Sequence, residues 1–505
     1  MGLGDLVGNL ALGLATAVSL QNLTYCFLGV LLGTLIGVLP GIGPVAAIAM
    51  LLPVTYALEP TSALIMLAGI FYGAQYGGST TAILVNLPGE GSSVVTCLDG
   101  YQMARQGRAG PALAIAAIAS FAAGTVATMI CVLLAAPLAA VAASFGPAEY
   151  FSLMLLGLIG AIVIANRSVL KAVGMVIVGL ILGLVGTDVN SGAQRFTFGV
   201  TELYDGIGVI AIAVGVFAIA EIVANLEQKE KREVFTDKVG SLMPSRDDLK
   251  TSAMPIARGT MVGSVLGVLP AGGAVLASFA AYAMEKKVAK DPSRFGKGAI
   301  EGVAGPEAAN NAGAQTCFIP MLTLGIPPNI VMALMIGAMM MHNIQPGPQV
   351  MTKNPELFWG LIASMWIGNL MLVVLNLPLV GIWVRLLSIP YRLLYPAIIL
   401  FCCIGVYTLS NSIFDVRLIV FFGALGYLFA KIGCEPAPML LGFILGPMME
   451  EFFRRALLIS RGDFIVFVES PISAGLLAIA TALLVSMSLP AIARWRGKVI
   501  AEQNS

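Results

Sequence analysis

Residues 69–100 read GIFYGAQYGGSTTAILVNLPGEGSSVVTCLDG. The stretch is apolar enough to lie at membrane depth. It also carries Gly77-Gly78, Pro88-Gly89 and Gly91, with Ser79, Thr80, Thr81, Asn86, Glu90, Ser92 and Ser93 among them. Glycine removes side-chain restraint and proline removes a backbone donor, so both interrupt helices. A helix interrupted in hydrocarbon leaves N–H and C=O groups that must be satisfied by protein or by a water-filled cavity. The stretch is therefore expected to be a broken helix lining a solute or ion site. The plainer alternative is a packing kink.

The remaining composition sets the class. The 505 residues are 58% hydrophobic and 11% charged, against roughly 25% charged in soluble domains. Apolar runs of about 20 residues follow one another, which predicts a polytopic all-α membrane protein. A β-barrel would need alternating segments of ~10 residues. The net charge of +1 points to no acidic partner and no nucleic acid. Seven cysteines show no CxxC or Cys/His spacing, so neither a disulfide framework nor a metal site is expected. Met1–Leu20 lacks a basic n-region and a small-residue cleavage site, so no cleavable signal peptide is expected.

The chain reads as two halves. Residues 1–225 form the first transmembrane repeat, 226–258 a charged cytoplasmic linker, and 259–505 the second repeat. In the first half, 22–39 spans and breaks at Leu39–Pro44, and 45–58 continues to a short polar turn at Glu59-Pro60. In the second, Gly263-Ser-Val-Leu-Gly-Val-Leu-Pro-Ala-Gly-Gly-Ala274 lies against Gly33-Thr-Leu-Ile-Gly-Val-Leu-Pro-Gly-Ile-Gly-Pro44. Ile362-Ala363-Ser364 likewise echoes Ile118-Ala119-Ser120. Charge predicts that the repeats are inverted. No Lys or Arg lies between Thr55 and Leu67, whereas the matching 285–297 holds Lys286, Lys287, Lys290, Arg294 and Lys297. The loop with Arg105 and Arg108 matches 341–355, which holds only Lys353. Positive charge gathers in short cytoplasmic loops, so equivalent loops fall on opposite sides. Inverted repeats with paired broken or re-entrant helices are a transporter architecture, with the site where the repeats meet.

The second half has its own polar stretch, Gly305-Pro306-Glu307-Ala-Ala-Asn310-Asn311 onward, followed by Pro320-Met-Leu-Thr323-Leu-Gly325-Ile-Pro327-Pro328-Asn329. Leu84-Val85-Asn86-Leu87 is set against Met321-Leu322-Thr323-Leu324. This pair suits an anionic solute. Free N–H groups beside Gly77, Gly78, Pro88, Gly89, Pro327 and Pro328 carry partial positive charge. Ser79, Thr80, Thr81, Ser92, Ser93 and Thr323 add hydroxyls. Asn86, Asn310, Asn311 and Asn329 can donate to a carboxylate or offer oxygen to a cation. Glu90 and Glu307 are the acids expected at membrane depth, where an ionisable group marks function. Together with Asn310 and the unwound backbone at Gly41, Gly43 and Gly272, they are the candidates for ion coupling. Helix capping is the plainer role for both acids. His342, the only histidine, reads as a loop residue. Neither a nucleophile–histidine–acid set nor a phosphate-binding GxxxxGK[ST] loop is present, so no enzyme and no ATP-driven pump is expected.

At these residues the chain resembles the large membrane subunit of the tripartite tricarboxylate transporters. The motifs that carry the resemblance are Leu39–Pro44, Tyr76–Glu90, Leu98–Arg105, Glu301–Ala312 and Thr323–Pro327. It covers nearly the whole chain. The resemblance implies a cation-coupled importer of organic acids in a bacterial inner membrane. It implies a small four-helix membrane partner and a periplasmic solute-binding protein, and it suggests an elevator-like motion. No cofactor is implied beyond Na⁺ or H⁺ as coupling ion. Moving a trianion such as citrate inward against ~100 mV costs about 7 kcal/mol, so symport with cations is expected. A passive facilitator and a membrane scaffold subunit are the alternatives; only a symporter accumulates its solute.

Overall fold

The computed structural model describes residues 3–39, 43–164, 168–188, 190–227, 242–269, 273–386 and 391–488. These are almost entirely helical. In the first half the helices are α1 (Leu3–Ala17), α2 (Leu20–Val38), α3 (Pro44–Tyr56), α4 (Pro60–Val85), α5 (94–105, with a π-type turn at Cys97–Tyr101), α6 (Ala109–Ala143), α7 (Pro147–Ile164), α8 (Val169–Gly183) and α9 (Val209–Glu227). A two-residue hairpin, Gly186–Thr187 against Gln194–Arg195, separates α8 from α9. In the second half they are α10 (Arg246–Val268), α11 (Gly273–Val288), α12 (301–324, joined through Cys317), α13 (Ile330–Met341), α14 (Pro355–Asn376), α15 (Val380–Leu386), α16 (Tyr391–Ser410), α17 (Ile413–Lys431), α18 (Ala437–Ile459) and α19 (Pro471–Ser488). Five helices, α2, α6, α9, α14 and α17, are long and apolar enough to cross a bilayer. α4 and α12 are not among them, because most of their residues are sheathed by other helices and need not match lipid.

One construction appears twice. α2 runs parallel to α4, and α10 runs parallel to α12, each pair with backbones in contact. A Cβ on Gly33 or Gly37 would lie 2.4 or 2.3 Å from the carbonyl oxygens of Ile70 and Ala74. A Cβ on Gly263 would lie 2.3 Å from Ala309 O, and one on Gly267 2.5 Å from Gly313 O. Only glycine permits such an approach, which accounts for two of the three glycine positions shared by the aligned segments. In the first pair the starts of the helices meet, where the Ser62 hydroxyl donates to Asn22 Oδ1 at 2.6 Å. Since α2 and α4 start together, α3 must carry the chain back. α2 and α3 thus form a helical hairpin, and α3 runs to the turn at Glu59-Pro60 as expected. α10 and α11 do the same, closed by a bidentate pair between Arg258 and the buried Glu285 at 2.8 and 2.6 Å. α10 begins at Arg246, inside the stretch read as a linker.

The loops meet in a crossed pattern. Tyr56, closing α3, stacks on His342, closing α13, with ring centroids 5.7 Å apart. Elsewhere, Gln106 Nε2 donates to Lys297 O at 2.8 Å, and Arg108 pairs with Asp248 at the start of α10. A Cβ on Gly100 would touch Ile83 Cγ1, and Ile83 lies about 35 Å along α4 from Pro60 at 1.5 Å per residue. The two loop clusters are therefore about one bilayer apart.

Candidate functional site

The helix interruptions fall later than the glycines suggested. α4 runs unbroken through Gly77, Gly78, Ser79, Thr80 and Thr81, and ends at Asn86, which is left-handed with φ 55°. α12 runs unbroken through Gly305–Gln315 and ends at Gly325, φ 73°. The structure thus sets Asn86 against Gly325, two residues beyond the alignment made on sequence, and Thr323 lies inside the helix. Gly77 stays helical because its bare Cα is packed on α2, where a Cβ would lie 2.4 Å from Thr34 O.

After Asn86 the chain turns back along α4. A Cβ on Gly89 would lie 2.4 Å from Gly78 Cα and 2.4 Å from Gly37 O, so three backbones touch here. Glu90 then starts a 3₁₀ turn as half of a capping box with Ser93. This return places Glu90 and Ser92 beside the middle of α12.

Nine buried polar side chains meet there: Gln75 and Ser79 from α4, Glu90 and Ser92 from the interruption, Thr96 from α5, Ser120 from α6, and Glu307, Asn310 and Asn311 from α12. Glu307 accepts from the Ser79 hydroxyl at 2.7 Å, from Thr96, and from Ser120 at 3.5 Å. Asn311 Nδ2 donates to Ser120 Oγ at 2.7 Å. Asn310 Nδ2 donates to Glu90 Oε1 at 3.2 Å. Ser92 Oγ lies 2.8 Å from Asn310 Oδ1, 3.0 Å from Gln75 Oε1, and against Glu90 Oε1. A hydroxyl has one proton to give, so this corner holds more oxygen acceptors than donors. Among the described residues, neither Glu90 nor Glu307 hydrogen-bonds a cationic side chain. The contrast with nearby acids is direct: Glu285 pairs with Arg258, Asp248 with Arg108 and Glu301 with Arg294.

Other sequence-predicted residues play local roles. Thr80 and Thr81 turn their hydroxyls to backbone carbonyls, Thr81 reaching Val38 O at 2.9 Å. Ser93 is occupied by the Glu90 backbone. Asn86 is exposed and Pro88 half-buried. At the second interruption Thr323 bonds Ile319 O at 2.7 Å, Asn329 caps α13 through Met332 N at 2.9 Å, and Pro327 and Pro328 are buried. Among the described residues, no hydrogen bond joins 325–329 to 86–93. Gly43 is the backbone cap of α3, while Gly41 and Gly272 lie outside the described residues. His342 stands apart from the cluster, on Tyr56.

Sequence reasoning missed Gln75, Thr96 and Ser120 as site residues, although a glutamine inside an apolar helix was a usable signal.

A helical membrane protein with an acid-bearing polar cluster at a helix interruption has the features that a membrane transporter's site requires. The chain belongs to the tripartite tricarboxylate transporter TctA family, whose model matches residues 23–441. That family is a transport component, the large subunit of its tripartite system. An uncharacterized 52.8 kDa protein in the TAR-I ttuC' 3' region of Agrobacterium vitis is 59% identical over 500 residues, covering 99% of this chain and 100% of that protein. A second Agrobacterium vitis protein, from the TAR-II ttuC' 3' region, is 59% identical over 242 residues, covering 48% of this chain and 100% of that protein. No solved structure matches the chain.

Proposed function

We propose that this chain imports an organic di- or tricarboxylate such as citrate across a bacterial inner membrane by alternating access, with Na⁺ or H⁺ moving in alongside. A periplasmic binding protein delivers the solute and a small four-helix subunit completes the complex. The observation that carries this reading is the pair Glu90 and Glu307. Two carboxylates buried together without a cationic partner are unstable as a bare dianion. They need protons or cations, and an ion taken up there ties cation movement to solute movement.

The oxygen-rich corner at Gln75, Glu90, Ser92 and Asn310 is the seat for Na⁺, since a hard ion prefers carboxylate and amide oxygens to water only when several converge. Bare N–H groups around Pro88-Gly89 and Pro327-Pro328 receive the carboxylate. The doubled helix construction and its crossed loops support two inverted repeats, with 99–108 and 289–300 on the cytoplasmic side.

Proteoliposomes holding the chain, its membrane partner and citrate-loaded binding protein test this. Citrate accumulates above its outside level under an inward Na⁺ or H⁺ gradient. Uptake indifferent to both gradients, or uptake that stops at equal concentration, overturns symport in favour of a passive facilitator.

A further inference from the structure

Asp99 lies in the π-type turn of α5 and is fully buried, at 0% exposure. It is not part of the polar cluster. Its Oδ1 accepts three backbone N–H groups from the other half of the chain, Gly296 at 2.9 Å, Gly298 at 2.8 Å and Ala299 at 2.8 Å. Its Oδ2 accepts the Tyr282 hydroxyl at 2.9 Å. The loop is shaped for this: Gly296 and Gly298 take φ 81° and 99°, open only to glycine at low cost. A Cβ on Gly302 would lie 2.2 Å from Asp99 Oδ2.

Two sequence distances give this clamp its meaning. Asp99 stands three residues after Thr96, one turn along α5. Ala299 stands two residues before α12 begins and eight before Glu307. The clamp thus fixes the two helices whose side chains meet in the Thr96–Glu307 hydrogen bond. A carboxylate taking several backbone N–H bonds holds them more strongly than a neutral acceptor does. We infer that Asp99 is a positioning residue: it sets Thr96 against Glu307 across the two halves and so fixes the hydrogen bonding of that buried acid. The inference rests on Glu307 being part of the transport site, but the clamp itself can be read without transport.

Both readouts use the purified full-length chain. The first is amide exchange of Gly296, Gly298 and Ala299. Asp99→Ala speeds it at least ~10-fold, because those amides lose their acceptor. The second is the infrared carboxyl band of Glu307, isolated by difference against Glu307→Gln. Thr96→Val and Asp99→Ala shift this band alike, and the double variant shifts it no further, as expected for one shared path. Should Asp99→Ala not fold, Asp99→Asn keeps an oxygen for the three amides but not the charge, and Tyr282→Phe removes the fourth bond alone. Both then shift the band in the same direction by less. Exchange unchanged without the Asp99 carboxylate overturns the clamp. A Glu307 band that Thr96→Val moves and every Asp99 variant leaves in place overturns the positioning role. Neither result depends on whether citrate is carried.

Discussion

The two helix interruptions begin alike and are held differently. Each follows a long, sheathed helix that closes on a left-handed residue, Asn86 or Gly325. Each continues through a proline and reaches a capping side chain, Glu90 or Asn329. The second interruption satisfies itself: Asn329 caps the helix it starts and Thr323 bonds its own turn. The first is bound from outside, with Glu90 and Ser92 joined to Asn310 of the other half. The polar chemistry is therefore concentrated in one interruption, although the backbone construction is shared by both. The helix construction is doubled, while the buried acids and amides meet at one interruption only.

Substitutions test that asymmetry. Glu307→Gln has the largest expected effect. It removes a buried charge whose partners are set for a carboxylate, at about 3 kcal/mol, or roughly hundredfold in citrate uptake or cation affinity. Asn310→Ala comes next, because Glu90 and Ser92 both lose a partner; uptake in proteoliposomes falls by about tenfold or more. Wild-type uptake by both variants would move the site elsewhere. Gly89→Ala drives a methyl into Gly78 and the Gly37 carbonyl. The expected loss is about 1–3 kcal/mol of stability, read as a lower unfolding temperature in detergent.

The second interruption should be more forgiving. Asn329→Ala removes a helix cap, about 1 kcal/mol, with uptake kept. Thr323→Val removes only a hydroxyl bonded within its own helix and costs ~1 kcal/mol or less. A collapse of transport in Thr323→Val, with the protein still folded, would show that the second interruption serves the solute through its side chains as well as through its backbone.

How much of this was legible depends on whether a residue's role is local. The Pro88-Gly89 and Pro327-Pro328 interruptions could be read because proline and glycine act on their own backbone. The membrane class followed from composition, and Glu90, Glu307 and Asn310 stood out as polar groups in apolar surroundings. Gly77-Gly78 misled, because a glycine that lets two helices touch looks in sequence like one that ends a helix. Only Thr34 O and Glu90, brought up by the fold, tell the two uses apart. Asp99 was hidden for the same reason. Beside Arg105 and Arg108 it reads as one more charge in a polar loop, and its partners lie some 200 residues away. That no described residue supplies a countercharge at Glu307 is likewise a fact of assembly.

One consequence lies in how the halves interlock. Gly91 of the first interruption abuts Val275 at the head of α11, while α13, launched by the second, packs on α3. Each half thus packs against an interruption of the other or against the helix that leaves it. Severed between residues 228 and 241 and made as two polypeptides, neither fragment would have a finished surface of its own. They should be recovered from the membrane together or not at all.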